Sequence, residues 1–241
     1  MDFKRISFII GGMVIALLAG GFFGGRIAAD HLVEKTLKEN YQQRVESWQE
    51  TNKTLKAGSV VFLGDSLVEF FQVNEYFEGV TAINRGIKGD TTEGVLKRMK
   101  ESVHDVKPSK VFLLIGTNDL GIEEKEPEYI VNNIGKIVQE IRDHNPGTKI
   151  YIQSLYPVNH SDAKKIDKAD VGSRTNKDIT LINEGLKKLC EAEGITYIDV
   201  YSNLLDEDRM LDLDYTREGL HLNGQGYRKV VEILRPYIEE A

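Results

Sequence analysis

A serine that attacks a carbonyl needs a base to take its proton and donors to meet the charge it creates. Three short polar clusters in this chain offer such groups, each directly behind an apolar run. Val60-Val61-Phe62-Leu63 leads into Gly64-Asp65-Ser66. On a tight strand-to-helix turn the Ser66 hydroxyl is presented beside helix N–H groups, although Asp65 and Ser66 serve equally well as helix caps. The second cluster is Asn84-Arg85-Gly86-Ile87-Lys88-Gly89-Asp90-Thr91-Thr92. Its two glycines permit either an exposed N–H that meets an anion or a plain turn capped by Asp90 or Thr91. In the third, Gly116-Thr117-Asn118-Asp119, an amide can donate and a carboxylate can cap or bind. Among five histidines, His31, His104, His144 and His160 each have a surface or capping explanation. His221 differs, because it lies in Glu218-Gly219-Leu220-His221-Leu222-Asn223. A carboxylate three residues earlier can turn back on the ring and hold its tautomer.

The elements that would position these clusters are legible as apolar runs. Val60–Leu63, Val80–Asn84, Val111–Ile115, Ile150–Gln153 and Thr196–Val200 are candidate strands. Between them, helical spacing recurs at Val95, Met99 and Val103; at Ile130, Ile134, Ile137 and Ile141; and at Ile179, Ile182, Leu186 and Leu189. Tyr227, Val230, Leu234 and Tyr237 mark a last helix. Continuous apolar strands alternating with amphipathic helices predict an α/β sandwich: a five-stranded parallel sheet with helices on both faces. Ligands of such sheets bind beyond the carboxyl ends of the strands, where all three clusters fall. Val158 to Ser173 lacks periodicity, and we expect a mobile loop near the site there.

Taken together, the four blocks resemble the SGNH (GDSL) hydrolases, a serine-esterase superfamily, over roughly residues 58–240. They stand in that family's order: Gly64-Asp65-Ser66, Asn84 to Asp90, Gly116 to Asp119, and Glu218 to His221. The platelet-activating-factor acetylhydrolase-like branch is the most similar. The resemblance implies a flavodoxin-like three-layer α/β/α fold, Ser66 as nucleophile and His221 as general base, with no cofactor or metal. It implies an oxyanion hole of the Ser66 and Gly89 N–H groups and the Asn118 side-chain amide, with Gly86 as a rival to Gly89. One position departs from the pattern. The family usually places Asp three residues before the histidine, and here Glu218 stands there, with Asp214 as a second candidate for the triad acid.

Composition bounds the rest. The chain has 241 residues, 31 basic and 38 acidic side chains and a net charge of −7, so nucleic acid is not an expected partner. Its single cysteine, Cys190, excludes an internal disulfide and cysteine-rich zinc modules. Ile6 to Gly25 is free of charge and follows Lys4 and Arg5. As a helix it would be about 30 Å long, enough to cross a bilayer with the remainder outside. Residues 1–25 are therefore expected to be a retained membrane anchor, or else a cleaved signal, and either exports the domain. Residues 26–57, with Leu37, Tyr41, Val45 and Trp48 on one face, are expected to be an amphipathic linker or first helix ahead of the domain at 58–241. The expected activity is cleavage of an acyl or acetyl ester of a small molecule, lipid or glycan, with a cell-envelope carbohydrate O-deacetylase as the alternative. Two other classes compete: a metal-dependent phosphoesterase using Asp65, Asn118, Asp119 and His221, and a non-catalytic binding module.

Overall fold

The computed structural model describes residues 24–240. The uncharged run Ile6–Gly25 therefore lies almost wholly outside the described residues, and with it the anchor or signal expected there. Among the described residues no helix is long and apolar enough to cross a membrane. Helix α1 (Gly24–Thr51) begins in a first unit that ends at Gln43. From Arg44 onward the chain forms a second unit, which carries everything below.

That unit is built on five parallel strands: β1 (Val60–Gly64), β2 (Ala82–Gly86), β3 (Lys110–Leu114), β4 (Lys149–Gln153) and β5 (Thr196–Ile198). Their order across the sheet is β2-β1-β3-β4-β5. Such connections need crossovers, which the helices supply. In chain order these are α2 (Ser66–Glu69), α3 (Val73–Tyr76), α4 (Thr92–Lys97), α5 (Thr117–Gly121), α6 (Pro127–His144), α7 (Lys168–Val171), α8 (Asn176–Glu193) and α9 (Gly224–Glu239). A π-helical segment, Lys100–His104, follows α4.

Strand alternation divides the core into two layers. Val61, Leu63, Val111, Leu113, Ile150 and Ile152 face one way and pack with Ile130, Ile134 and Ile137 of α6 and Ile179, Ile182 and Leu186 of α8. Val60, Phe62, Phe112, Leu114 and Tyr151 face the other way, against Leu67, Phe71, Phe77 and the Tyr227, Val230 and Leu234 stripe of α9. Phe62 stacks on Phe112 at 5.2 Å between ring centroids, and Phe112 on Tyr151 at 4.6 Å, across neighbouring strands. The three-layer α/β/α arrangement is the expected one.

Two strands differ from the apolar runs that announced them. Val80 and Thr81 do not open β2, because Val80 N–H donates to Phe77 O and Ala82 N–H to Val80 O, closing a turn. The strand instead extends to Arg85 and Gly86. Arg85 is buried, with its guanidinium 4.7 Å from the Trp48 ring centre and its Nη2 2.6 Å from Asn52 Oδ1. Trp48, on the apolar face of α1, is thus docked on the body. β5 is shorter than expected, since Val200 N–H turns back to Ile198 O.

Candidate active site

Each polar cluster sits where its strand stops. Gly64 ends β1, and a Cβ there would lie 2.0 Å from Leu114 O, so only glycine lets β3 approach. Asp65 then caps α2, accepting from Leu67 N–H at 2.9 Å, which leaves Ser66 as the first residue of the helix. The remaining Asp65 oxygen, Oδ2, is buried without a partner. Burial pushes this carboxyl up to about 7, against the opposing pull of the Leu67 N–H and of His221 and Arg174. The first two clusters are tied by Arg98, which is fully buried. Its Nε donates to Asp90 Oδ2 at 2.7 Å, its Nη1 to Arg85 O at 3.0 Å and its Nη2 to Gly64 O at 2.9 Å. Burial raises the Asp90 carboxyl from its ordinary value, while the Arg98 guanidinium opposes that rise.

From the last loop His221 reaches Ser66. His221 Nε2 lies 2.9 Å from Ser66 Oγ, and His221 Nδ1 lies 2.6 Å from Glu218 Oε1. The same oxygen accepts from the His221 backbone N–H at 2.8 Å. Burial works against charge on Glu218, but its bonds to His221 win and hold the carboxyl below its usual value. It is therefore the anionic partner that fixes an Nδ1–H tautomer and leaves Nε2 as acceptor. The loop is closed by Thr216, whose hydroxyl donates to His221 O at 2.9 Å and accepts from Gly219 N–H at 2.8 Å. The Phe70 ring lies 5.3 Å from the imidazole.

The stretch Val158 to Ser173, expected to be a mobile loop, is instead braced against this loop. Asn159 N–H donates to Gly219 O and Asp167 N–H to Glu218 O, and α7 folds within it. Both bonds are backbone to backbone, so no side-chain periodicity betrayed them.

Three donors follow the carboxyl ends of β1, β2 and β3. The Ser66 N–H, at the first position of α2, and the Gly89 N–H have no protein acceptor among the described residues. Gly89 holds φ +79°, a left-handed conformation that glycine adopts without strain. Asn118 is buried, with Nδ2 2.9 Å from Asp90 O and Oδ1 accepting from Arg174 Nη2 at 2.9 Å. Arg174, which holds the Asn118 amide, is the residue near the site that sequence reasoning missed. It follows the featureless stretch directly and belongs to no cluster. Its Nε also donates to Thr117 O and Oγ1, and its Nη1 to Val171 O.

The structure corrects several alternatives. Gly86 is engaged rather than open: its N–H donates to Asn84 Oδ1 at 2.9 Å. A Cβ there would sit 2.1 Å from Glu69 N, so its glycine serves strand–helix packing. Asp214 is exposed and does not reach His221, whose Nδ1 is taken by Glu218. The set Asp65, Asn118, Asp119 and His221 does not form a metal centre. Both Asp119 oxygens accept from Thr92 N–H, Asn118 Oδ1 is held by Arg174, and these acids do not converge with His221.

Residues 62–229 match the GDSL-like Lipase/Acylhydrolase family. The chain belongs to that family. This GDSL-family protein is accordingly an ester-bond hydrolase. It is 30% identical to the platelet-activating factor acetylhydrolase IB subunit alpha2 of Homo sapiens over 189 residues, covering 76% of this chain and 77% of that one. The rat subunit matches to the same extent. A Streptococcus pneumonia structure with a platelet-activating-factor designation superposes with a TM-score of 0.82 and 29% identity, over 88% of this chain and 99% of the other. A GDSL-like lipase from Bacteroides thetaiotaomicron shares the fold at a TM-score of 0.69 and 22% identity, over 81% and 97% of the two chains.

Proposed function

We propose that this GDSL-family hydrolase is a serine esterase that removes short acyl groups, acetyl foremost, through Ser66, His221 and Glu218. The observation that carries the reading is the continuous relay from Ser66 Oγ to His221 Nε2 at 2.9 Å and from His221 Nδ1 to Glu218 Oε1 at 2.6 Å. His221 Nε2 takes the hydroxyl proton as Oγ bonds to the ester carbonyl carbon, and Glu218 stabilises the imidazolium that results. The carbonyl oxygen gains a full negative charge and is met by the Ser66 and Gly89 N–H groups and by the Nδ2 hydrogen of Asn118 that Asp90 O does not use. His221 returns the proton to the departing alcohol. Water then repeats the sequence on the acyl-Ser66 ester and frees the acid.

The acetyl preference rests on the acetylhydrolase designation of the mammalian relatives. Extracytoplasmic placement, by an anchor or an exported chain, rests on the Ile6–Gly25 run. Acetylated phospholipid, acetylated glycan and p-nitrophenyl esters of rising length, offered to the full-length protein, test the substrate. A steep fall beyond butyrate is expected, and equal turnover of octanoate contradicts the short-acyl reading. Recovery of the full-length chain in the membrane pellet tests the anchor, and a fully soluble, unprocessed chain contradicts it.

A further inference from the structure

His104 and His144 are far apart in sequence, yet their rings stack with centroids 4.0 Å apart and planes 10° from parallel. His104 closes the π-helical segment and His144 closes α6, four residues after Glu140. Both stand ahead of the strands that follow them, β3 and β4, at the sheet edge opposite the one that carries Ser66. Glu140 Oε2 lies 3.5 Å from His144 Nδ1 and 3.9 Å from His104 Nε2. One donor atom from each of the three residues lies within 4.8 Å of the others. These contacts are too long for good hydrogen bonds. His104 Nε2 is buried and has no partner, an arrangement that costs free energy unless something else fills it.

We propose that His104, Glu140 and His144 form a binding site for a borderline divalent ion such as Zn²⁺, remote from the ester-cleaving centre. Two imidazoles and a carboxylate are a donor set that suits zinc, with a fourth position left for water. Bonds of about 2.0–2.2 Å in a tetrahedron place donors about 3.3–3.6 Å apart. The 3.5 Å separation already fits, the 3.9 Å one closes by a few tenths of an ångström, and the stacked rings must tilt apart for both in-plane lone pairs to meet one ion. Glu140, Asp105 and Glu101 add negative charge around His104. His144 Nδ1 also lies 3.0 Å from Glu140 O, so without metal the ring caps its own helix end and an ion replaces that bond. The ion would clamp the π-helical segment to α6.

Zinc chloride titrated calorimetrically into EDTA-treated, dialysed full-length protein tests the site, beside His104→Gln, His144→Gln and Glu140→Gln. The wild type is expected to bind an ion that each variant binds at least tenfold more weakly. Zinc should raise the melting temperature of the wild type and leave the variants unmoved. Glu140 is only half-buried, so Glu140→Gln reports even where a histidine variant folds poorly. Esterase turnover of the metal-free variants should match the wild type. No wild-type binding at about 1 mM zinc, or equal binding by wild type and all three variants, overturns the proposal and leaves the cluster a stacked pair.

Discussion

Arg174 Nη2 donates to Asn118 Oδ1 at 2.9 Å, and this bond decides which way the Asn118 amide points. An amide that accepts from a guanidinium must turn its NH₂ the other way, toward Asp90 O. The arginine thereby makes a weakly specified rotor into a fixed donor. Asn118→Ala should lower kcat by about 10²–10³, the loss typical of one oxyanion donor. Arg174→Met should lower kcat by about tenfold or more while KM stays close to the wild-type value. Arg174→Lys should fail to rescue, because one ammonium cannot span Asn118, Thr117 and Val171. An Arg174→Met enzyme that keeps full kcat would show that the amide is oriented by other means.

Glu218 and Asp214 should separate cleanly. Glu218→Gln keeps the volume but offers an NH₂ that favours the wrong imidazole tautomer, so kcat should fall by about 10³–10⁴. Asp214→Asn should leave kcat within about twofold. Steady-state kinetics on p-nitrophenyl acetate reads both, and equal losses in the two would remove Glu218 from its assigned place.

Asp65 makes stability depend on pH in an unusual direction. Its carboxyl is pushed up to about 7 in the folded protein, chiefly by burial, whereas an unfolded aspartate titrates near 3.9. Between those values the folded state holds the proton and the unfolded state does not. Stability from this group is therefore full below about pH 4, declines as pH rises toward 7, and is flat above. Asp65→Asn removes the decline. Urea melts should show the variant gaining on the wild type by up to a few kcal/mol between pH 4 and pH 8. A gap between the two that does not change with pH would contradict a neutral Asp65.

Arg98 and Asp90 form a buried pair, and breaking such a pair strands a charge. Arg98→Met should destabilise the protein by about 3–5 kcal/mol in urea unfolding. The loss exceeds that of a surface pair because Gly64 O and Arg85 O each lose a guanidinium bond as well. A change below about 1 kcal/mol, as for an exposed pair, would contradict this.

The sheet was readable because its strands are buried on both faces, so Val60–Leu63 and Val111–Ile115 are unbroken apolar runs. The carboxyl end of β2 was misplaced because a buried arginine, Arg85, looks polar in sequence and is accommodated by Trp48 and Asn52. Ser66, Asn118, Glu218 and His221 were legible because each belongs to a short block of fixed spacing. Arg174 carried no such mark. Its importance comes from five hydrogen bonds, made by its three nitrogens to acceptors on α5 and α7, a tertiary fact. His104 and His144 each had an adequate local explanation, and only the packing of α6 on the π-helical segment joins them.

The claim that Ser66 and His221 act together is tested most directly by p-nitrophenyl acetate turnover, comparing wild type with Ser66→Ala in the presence and absence of EDTA. Wild-type turnover that EDTA leaves unchanged, and a fall of at least about 10³-fold in Ser66→Ala, is the predicted result. Turnover that survives Ser66→Ala, or that EDTA abolishes, would contradict it.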